Sequence, residues 1–145
     1  MKRKLIQQAT VLKAVDINDY VGTTAKVGEV LDFYGYSDAI LSINTAAATG
    51  TPTSLTLTVT MLEGDTNSPA TAVTFNSTPT VITSLTATIT NYHIDLRGFK
   101  RYGKFTITPA FVDGSTPKIL GSGTITLGGK NVEPVPSAVT VYAKA

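Results

Sequence analysis

Leu55-Thr56-Leu57-Thr58-Val59-Thr60-Met61-Leu62 is the stretch that decides the fold. In an extended chain Leu55, Leu57, Val59 and Met61 fall on one side, and Thr56, Thr58 and Thr60 on the other. Period two marks a half-buried strand. Threonine, stiff at its first side-chain torsion, favours the pleated sheet. The turn residues Glu63-Gly64-Asp65 close the segment.

The same alternation recurs on both sides of it. Ala39 to Thr45 sets Ala39, Leu41 and Ile43 against Ile40, Ser42 and Asn44, and reads as a strand with both faces partly covered. Val81 to Thr90 sets Leu85, Ala87 and Ile89 against Thr86, Thr88 and Thr90. Phe105 to Phe111 runs through Pro109, which belongs at a sheet edge or a bulge. Ile119 to Leu127 is loosened by Gly121 and Gly123, the mark of a bulge or of a close backbone approach. Val139 to Tyr142 is a last strand, and Val30 to Tyr34 and Val73 to Phe75 are shorter ones. Glu133-Pro134-Val135-Pro136 is extended and stiff, and reads either as a lead into that last strand or as a segment running along a neighbouring subunit. Turn clusters lie between, among them Thr49-Gly50-Thr51-Pro52 and Asp113-Gly114-Ser115. Residues 5–19 are the one helix candidate, weakened by Thr10, Val11 and Val15. The expected fold is all-β: a two-sheet β-sandwich of about eight or nine strands, with a jelly roll as one form of it. Residues 1–28 are expected to form an N-terminal arm plus the first strand, and residues 29–145 the sandwich, within a single globular domain.

Composition narrows the function. The 145 residues suffice for one domain with a true core. Charged residues are 15% of the chain, against roughly 25% in ordinary soluble domains. Net charge is +2 and mean hydropathy +0.15. A surface so poor in charge favours association, which points to a protein that works inside an assembly. With no cysteine, disulfide scaffolds, thiolate metal sites and cysteine nucleophiles are excluded. Met1-Lys2-Arg3-Lys4 imitates the start of a signal peptide, but Leu5-Ile6 gives way at once to Gln7-Gln8. No secretory signal and no membrane span is expected.

Chemistry is sparse. His93 is the only histidine, and without a nucleophile signature it reads as structural. No carboxylate pair, calcium loop or phosphate loop stands out. No enzymatic activity and no cofactor or metal is expected. Basic residues cluster twice, as Lys2, Arg3 and Lys4 and as Arg97, Lys100, Arg101 and Lys104, the second set interleaved with Phe99, Tyr102 and Phe105. Three readings of this second cluster stand side by side. Cations and rings suit nucleic acid, yet the chain lacks a broad basic excess. A tight turn would pair its arginines with carboxylates of the same or a neighbouring chain. A protein interface would use Arg and Tyr as its anchors.

Asp95-Leu96-Arg97-Gly98-Phe99-Lys100-Arg101-Tyr102, a following Thr-rich strand, and Thr126-Leu127-Gly128-Gly129 together resemble small structural proteins of tailed bacteriophages. Leu31-Asp32-Phe33-Tyr34-Gly35-Tyr36, Ala39 to Asn44 and Leu55 to Asp65 match the same layout, so the resemblance spans roughly residues 29–136. It implies a virion protein of the head: a capsid decoration or cement protein on the capsid exterior, made in the host cytoplasm. Its expected partners are the major capsid protein and further copies of itself, a trimer being one form, with neither nucleic acid nor membrane. Lys2, Arg3, Lys4, Arg97, Lys100, Arg101 and Tyr102 are the expected interface residues. Another phage head or tail component is the nearest alternative. A carbohydrate-binding or adhesion module is the next, stacking sugars on Tyr34, Tyr36 and Tyr92.

Overall fold

The computed structural model describes residues 9–75, 81–129 and 141–145. Among them are eleven strands and no helix. The longer ones are β1 (Ala9–Val21), β4 (Asp38–Thr45), β5 (Ser54–Gly64), β8 (Thr88–Asp95), β9 (Tyr102–Val112) and β10 (Lys118–Gly128). Five are two residues long: β2 (Lys26–Val27), β3 (Leu31–Asp32), β6 (Thr71–Ala72), β7 (Val81–Ile82) and β11 (Val141–Tyr142). Segments that short carry no periodicity, which is why the sequence reading counts fewer strands.

One sheet has the order β1-β10-β4-β8-β11; the other runs β2-β9-β5-β6, with β3 also on β9 and β7 also on β5. The pairs nest: β1 with β10, β2 and β3 with β9, β4 with β8, and β5 with β6 and β7. A ribbon folded back on itself and then rolled into two sheets is a jelly roll, so the expected sandwich is present in that form. Buried Leu55, Leu57, Val59 and Met61 of β5 meet Leu41, Ile43, Ile125 and Leu127 of the opposite sheet in one core. The threonines of β5 face outward as the alternation requires, opposite Thr108 and Thr106 of β9.

Three local readings change. The helix candidate at 5–19 is β1 over its described part, held along its length by β10. Two register shifts, at Lys13/Val15 and Val15/Asn18, bury the neighbours Ala14 and Val15 together and blur the period of two. They lie opposite Gly123 and Gly121, where an added Cβ would approach Ile43 and Tyr20 to 3.0 and 3.1 Å. Val81 to Thr90 is two strands, not one. The chain leaves β7 in one sheet and enters β8 in the other, so Tyr92 and Ile94 take the core face and Ile89 points out, 66% exposed. Finally, β4 buries one face only, with Ile40 and Asn44 exposed.

Pro109 confirms its expected edge position. Gly28 N–H and Phe33 N–H donate to the carbonyls of Phe105 and Arg101, so the odd residues of β9 turn their backbone groups away from β5. Pro109 lies two residues beyond Ile107, where the β2 pairing stops, and its missing N–H leaves no ladder bond unmade.

Gly28 stitches the two sheets at a corner. Its N–H reaches Phe105 O at 2.7 Å, and Glu29 N–H reaches Ala14 O at 3.0 Å. A Cβ at residue 28 would lie 2.0 Å from Ala14 O. Gly28→Ala is therefore expected to cost about 2–4 kcal/mol in chemical denaturation, whereas Gly98→Ala, with open space around it, should lose about 1 kcal/mol through its positive φ alone.

Candidate functional site

The ends of β3, β5, β8 and β10 and the starts of β1, β4 and β9 meet at one end of the sandwich. The turn from Asp95 to Arg101 forms its centre. Gly98, at φ +89°, lets the chain reverse, and Phe99 N–H closes on Leu96 O at 3.1 Å.

Each cation of the turn has a carboxylate partner within the chain. Arg97 holds Asp95 with a bidentate fork, Nε to Oδ1 at 2.8 Å and Nη2 on Oδ2, and the Arg97 backbone N–H adds a third bond. Lys100 Nζ reaches Asp65 at 2.8 Å. Arg101 grips Asp32, Nε to Oδ1 at 3.0 Å and Nη2 to Oδ2 at 2.7 Å. The turn reading of the basic cluster is thus the observed arrangement, with carboxylates of the same chain.

Arg101 is also stacked. Its guanidinium carbon lies 5.1 Å from the Tyr34 ring centre and 4.9 Å from that of Tyr102, within cation–π range. Asp32 fixes the other partner too, accepting the Tyr34 backbone N–H at 3.0 Å. Tyr34 is 76% exposed. The result is a Tyr–Arg–Tyr stack open to solvent. Asp32 and Tyr34 lie far from Arg101 in sequence, and no local pattern announces their meeting.

Below the surface, Glu63 is 1% exposed. Its Oε2 accepts the Lys100 backbone N–H at 2.9 Å, and its Oε1 accepts Lys144 Nζ. Sequence reasoning took Glu63 as a turn residue; its place on the buried parity of β5 was the signal that could have found it.

Other expected residues lie apart. Lys2, Arg3 and Lys4 fall outside the described residues, as does Glu133 to Pro136; Ala9, where β1 starts, is at this same end. Tyr102 and the three cations of the turn are brought together. Of the three sugar-stacking candidates, Tyr92 is buried at 4% and Tyr36 is half-buried with its hydroxyl on Thr10 Oγ1 at 2.8 Å. Only Tyr34 presents an open ring. His93 sits on the outer face of β8 beside Ile40 and Val141. Among the described residues no three His, Asp or Glu side chains converge as a metal would need.

No family model matches the chain, and no curated protein does. Solved structures match in fold. Infectious bursal disease virus, Gx strain, aligns with TM-score 0.56 at 14% identity over 91% of this chain and 35% of that one. The VP2 subviral particle of the same virus gives 0.50 at 13% identity, over 84% and 32%. The PBSX exported protein XepA gives 0.49 at 16% identity, over 97% and 43%. The chain spans about a third of the viral chains it matches. What it shares with them is the fold.

Two outcomes follow from the ion pairs. Arg101 and the Tyr34 N–H hold the Asp32 carboxyl below its ordinary range, and Arg97 does the same for Asp95. A depressed carboxyl stabilises the fold above its unfolded value near 4 and loses that contribution as pH falls through the folded value. Asp32→Asn and Asp95→Asn should each flatten the acid limb of a stability–pH curve slightly, as exposed pairs do. The buried clamp should weigh more. Lys144→Met, which strands the Glu63 carboxylate, is expected to cost about 3 kcal/mol in a denaturation series, and adding Glu63→Gln should restore much of the loss.

Proposed function

We propose that this protein is a non-enzymatic bacteriophage capsid decoration protein that binds the outer shell and holds neighbouring capsid subunits together. The observation that carries the reading is the exposed Tyr34–Arg101–Tyr102 stack, clamped by Asp32 at one end of a jelly roll. Arg and Tyr are the residue types that anchor protein interfaces. Here Asp32 and the two rings already hold contacts to Arg101, which reduces the rotamer entropy to be lost on docking. The infectious bursal disease virus chains that share the fold come from viral and subviral particles.

The same pairs argue against nucleic acid. Arg97, Lys100 and Arg101 are each matched by a carboxylate, which leaves little net positive field for a phosphate backbone. In the proposed contact, Arg97, Lys100, Arg101 and Tyr102 meet the major capsid protein. Lys2, Arg3 and Lys4, which precede β1 in the sequence, add to it. Copies act as a homo-oligomer, with a trimer as one form. Each added interface stabilises the shell by mass action, and repetition over the lattice multiplies a small contact.

Cryo-electron microscopy of purified virions tests the placement. Density for this jelly roll is expected on the capsid exterior; density inside the tail, or absence from particles, overturns the reading. In binding assays with bare shells, Arg101→Ala and Tyr34→Ala should each weaken binding roughly tenfold or more. Thr58→Ala, on the outer face midway along β5 and away from the loop end, should leave it unchanged.

A further inference from the structure

The C-terminal residues sit in a socket built for them. Val141 and Tyr142 add to β8 as a parallel strand, opposite His93 and Ile94. The Tyr142 ring meets Tyr92 edge-on at 5.4 Å and Phe75 edge-on at 6.0 Å, over a small apolar cavity whose walls include Leu41, Ile94 and Phe105. Phe99 extends the floor beside Phe75. Two residues on, Lys144 neutralises buried Glu63, and Ala145 N–H donates to Thr74 O at 2.8 Å. The tail thereby lies between the β8 edge of one sheet and the segment after β6, where Lys144 bridges Phe75.

Each of these contacts reads a feature of the tail: a strand edge, an aromatic ring and a cation in fixed order. None reads which copy of the chain supplies it. No short turn ties β11 to β8, since a parallel neighbour needs a crossover. The connection comes from β10 through residues 129–140. Gly128 shares a ladder row with Asp38 and Asp95, and Val141 lies three strand spacings away and two residues down, about 16 Å in all. Twelve residues reach about 40 Å when extended. The chain length therefore permits a neighbour's socket as well as its own.

We infer that the socket formed by Tyr92, Phe75, Phe99 and Glu63 is a receptor for the C-terminal strand of a second copy, so that copies join by exchanging residues 141–145. The contacts are identical in the closed and exchanged forms. The balance between them is set by connection length and local concentration, and crowding on a surface moves it toward exchange. Glu63 provides the selectivity, because a tail without its cation would leave a carboxylate buried beside one backbone donor. The inference stands on the socket alone and does not require that the protein sit on a capsid.

The chain has no cysteine of its own, so paired cysteines report exchange cleanly. One preparation carries Thr74→Cys and another Ala145→Cys, residues adjacent when the tail is seated. The two are mixed without any capsid, incubated over a concentration series, and oxidised. A covalent heterodimer that rises with concentration, and that falls severalfold when Lys144→Met is added to the Ala145→Cys chain, is the expected result. Thr58→Cys in place of Thr74→Cys gives the background. Mixed single variants no better linked than this background, while the Thr74→Cys/Ala145→Cys chain closes on itself, overturn the inference. Failure of that double variant to link at all overturns it too, by unseating the tail. Shell binding is not read in any arm, so the outcome is separate from that of the decoration reading.

Discussion

A single carboxylate organises the loop end of this molecule. Glu63 occupies a core position at the end of β5, where burying a lone charge would cost several kcal/mol. It is tolerated because two donors converge on it from distant parts of the chain: the Lys100 backbone N–H from the Arg-Gly turn, and Lys144 from the tail. The turn cannot shift without unpairing the carboxylate, and neither can the tail. Everything exposed at this end is therefore mounted on a rigid base. The Arg101 stack and the Asp95 fork are surface pairs of little energetic weight by themselves. Their positions are set by the buried group beneath them.

This division of labour explains how a chain with few charges keeps them. Threonine, serine and asparagine take about half of the outward positions of β4, β5, β9 and β10. Such residues satisfy the pleat and stay compatible with water without being strongly solvated. They are also inexpensive to cover, since no ion has to be stripped of its hydration. Among the described residues, four of the seven ion pairs lie at the loop end, where they hold shape and contribute little net field; the others join Lys13 to Asp16 and Glu29, and Lys118 to Asp19. A surface of this kind suits association by fit.

Much of the fold was legible because alternation survives wherever a strand is long and one-sided. The β5, β9 and β10 segments read correctly for that reason. The misreadings share a cause as well. In β1 the bulges opposite Gly121 and Gly123 put adjacent residues inward and destroy the period. In Val81 to Thr90 the chain changes sheets within an apparently continuous pattern, so the face inferred from Leu85 and Ile89 belongs to no single strand. The two-residue strands give no pattern to read. At the candidate site the basic cluster itself was visible, along with the possibility of internal pairing. Its partners were not, because Asp32, Asp65 and Glu63 reach the turn through strand order, and strand order follows from the rolling of the whole ribbon.

That last point bears on how the site is built. In a jelly roll the two ends of the sandwich collect residues from all along the chain, with no one segment holding a majority. Here Asp32 ends β3 and Tyr34 follows it, Asp65 follows β5, Arg97 to Arg101 precede β9, and Lys144 follows β11. The ribbon must roll correctly before any of these groups meet. An Arg101 left without Asp32 and the flanking rings would be a flexible, solvated side chain of the ordinary kind. Only the finished fold turns it into a projection held by Asp32 and flanked by two rings.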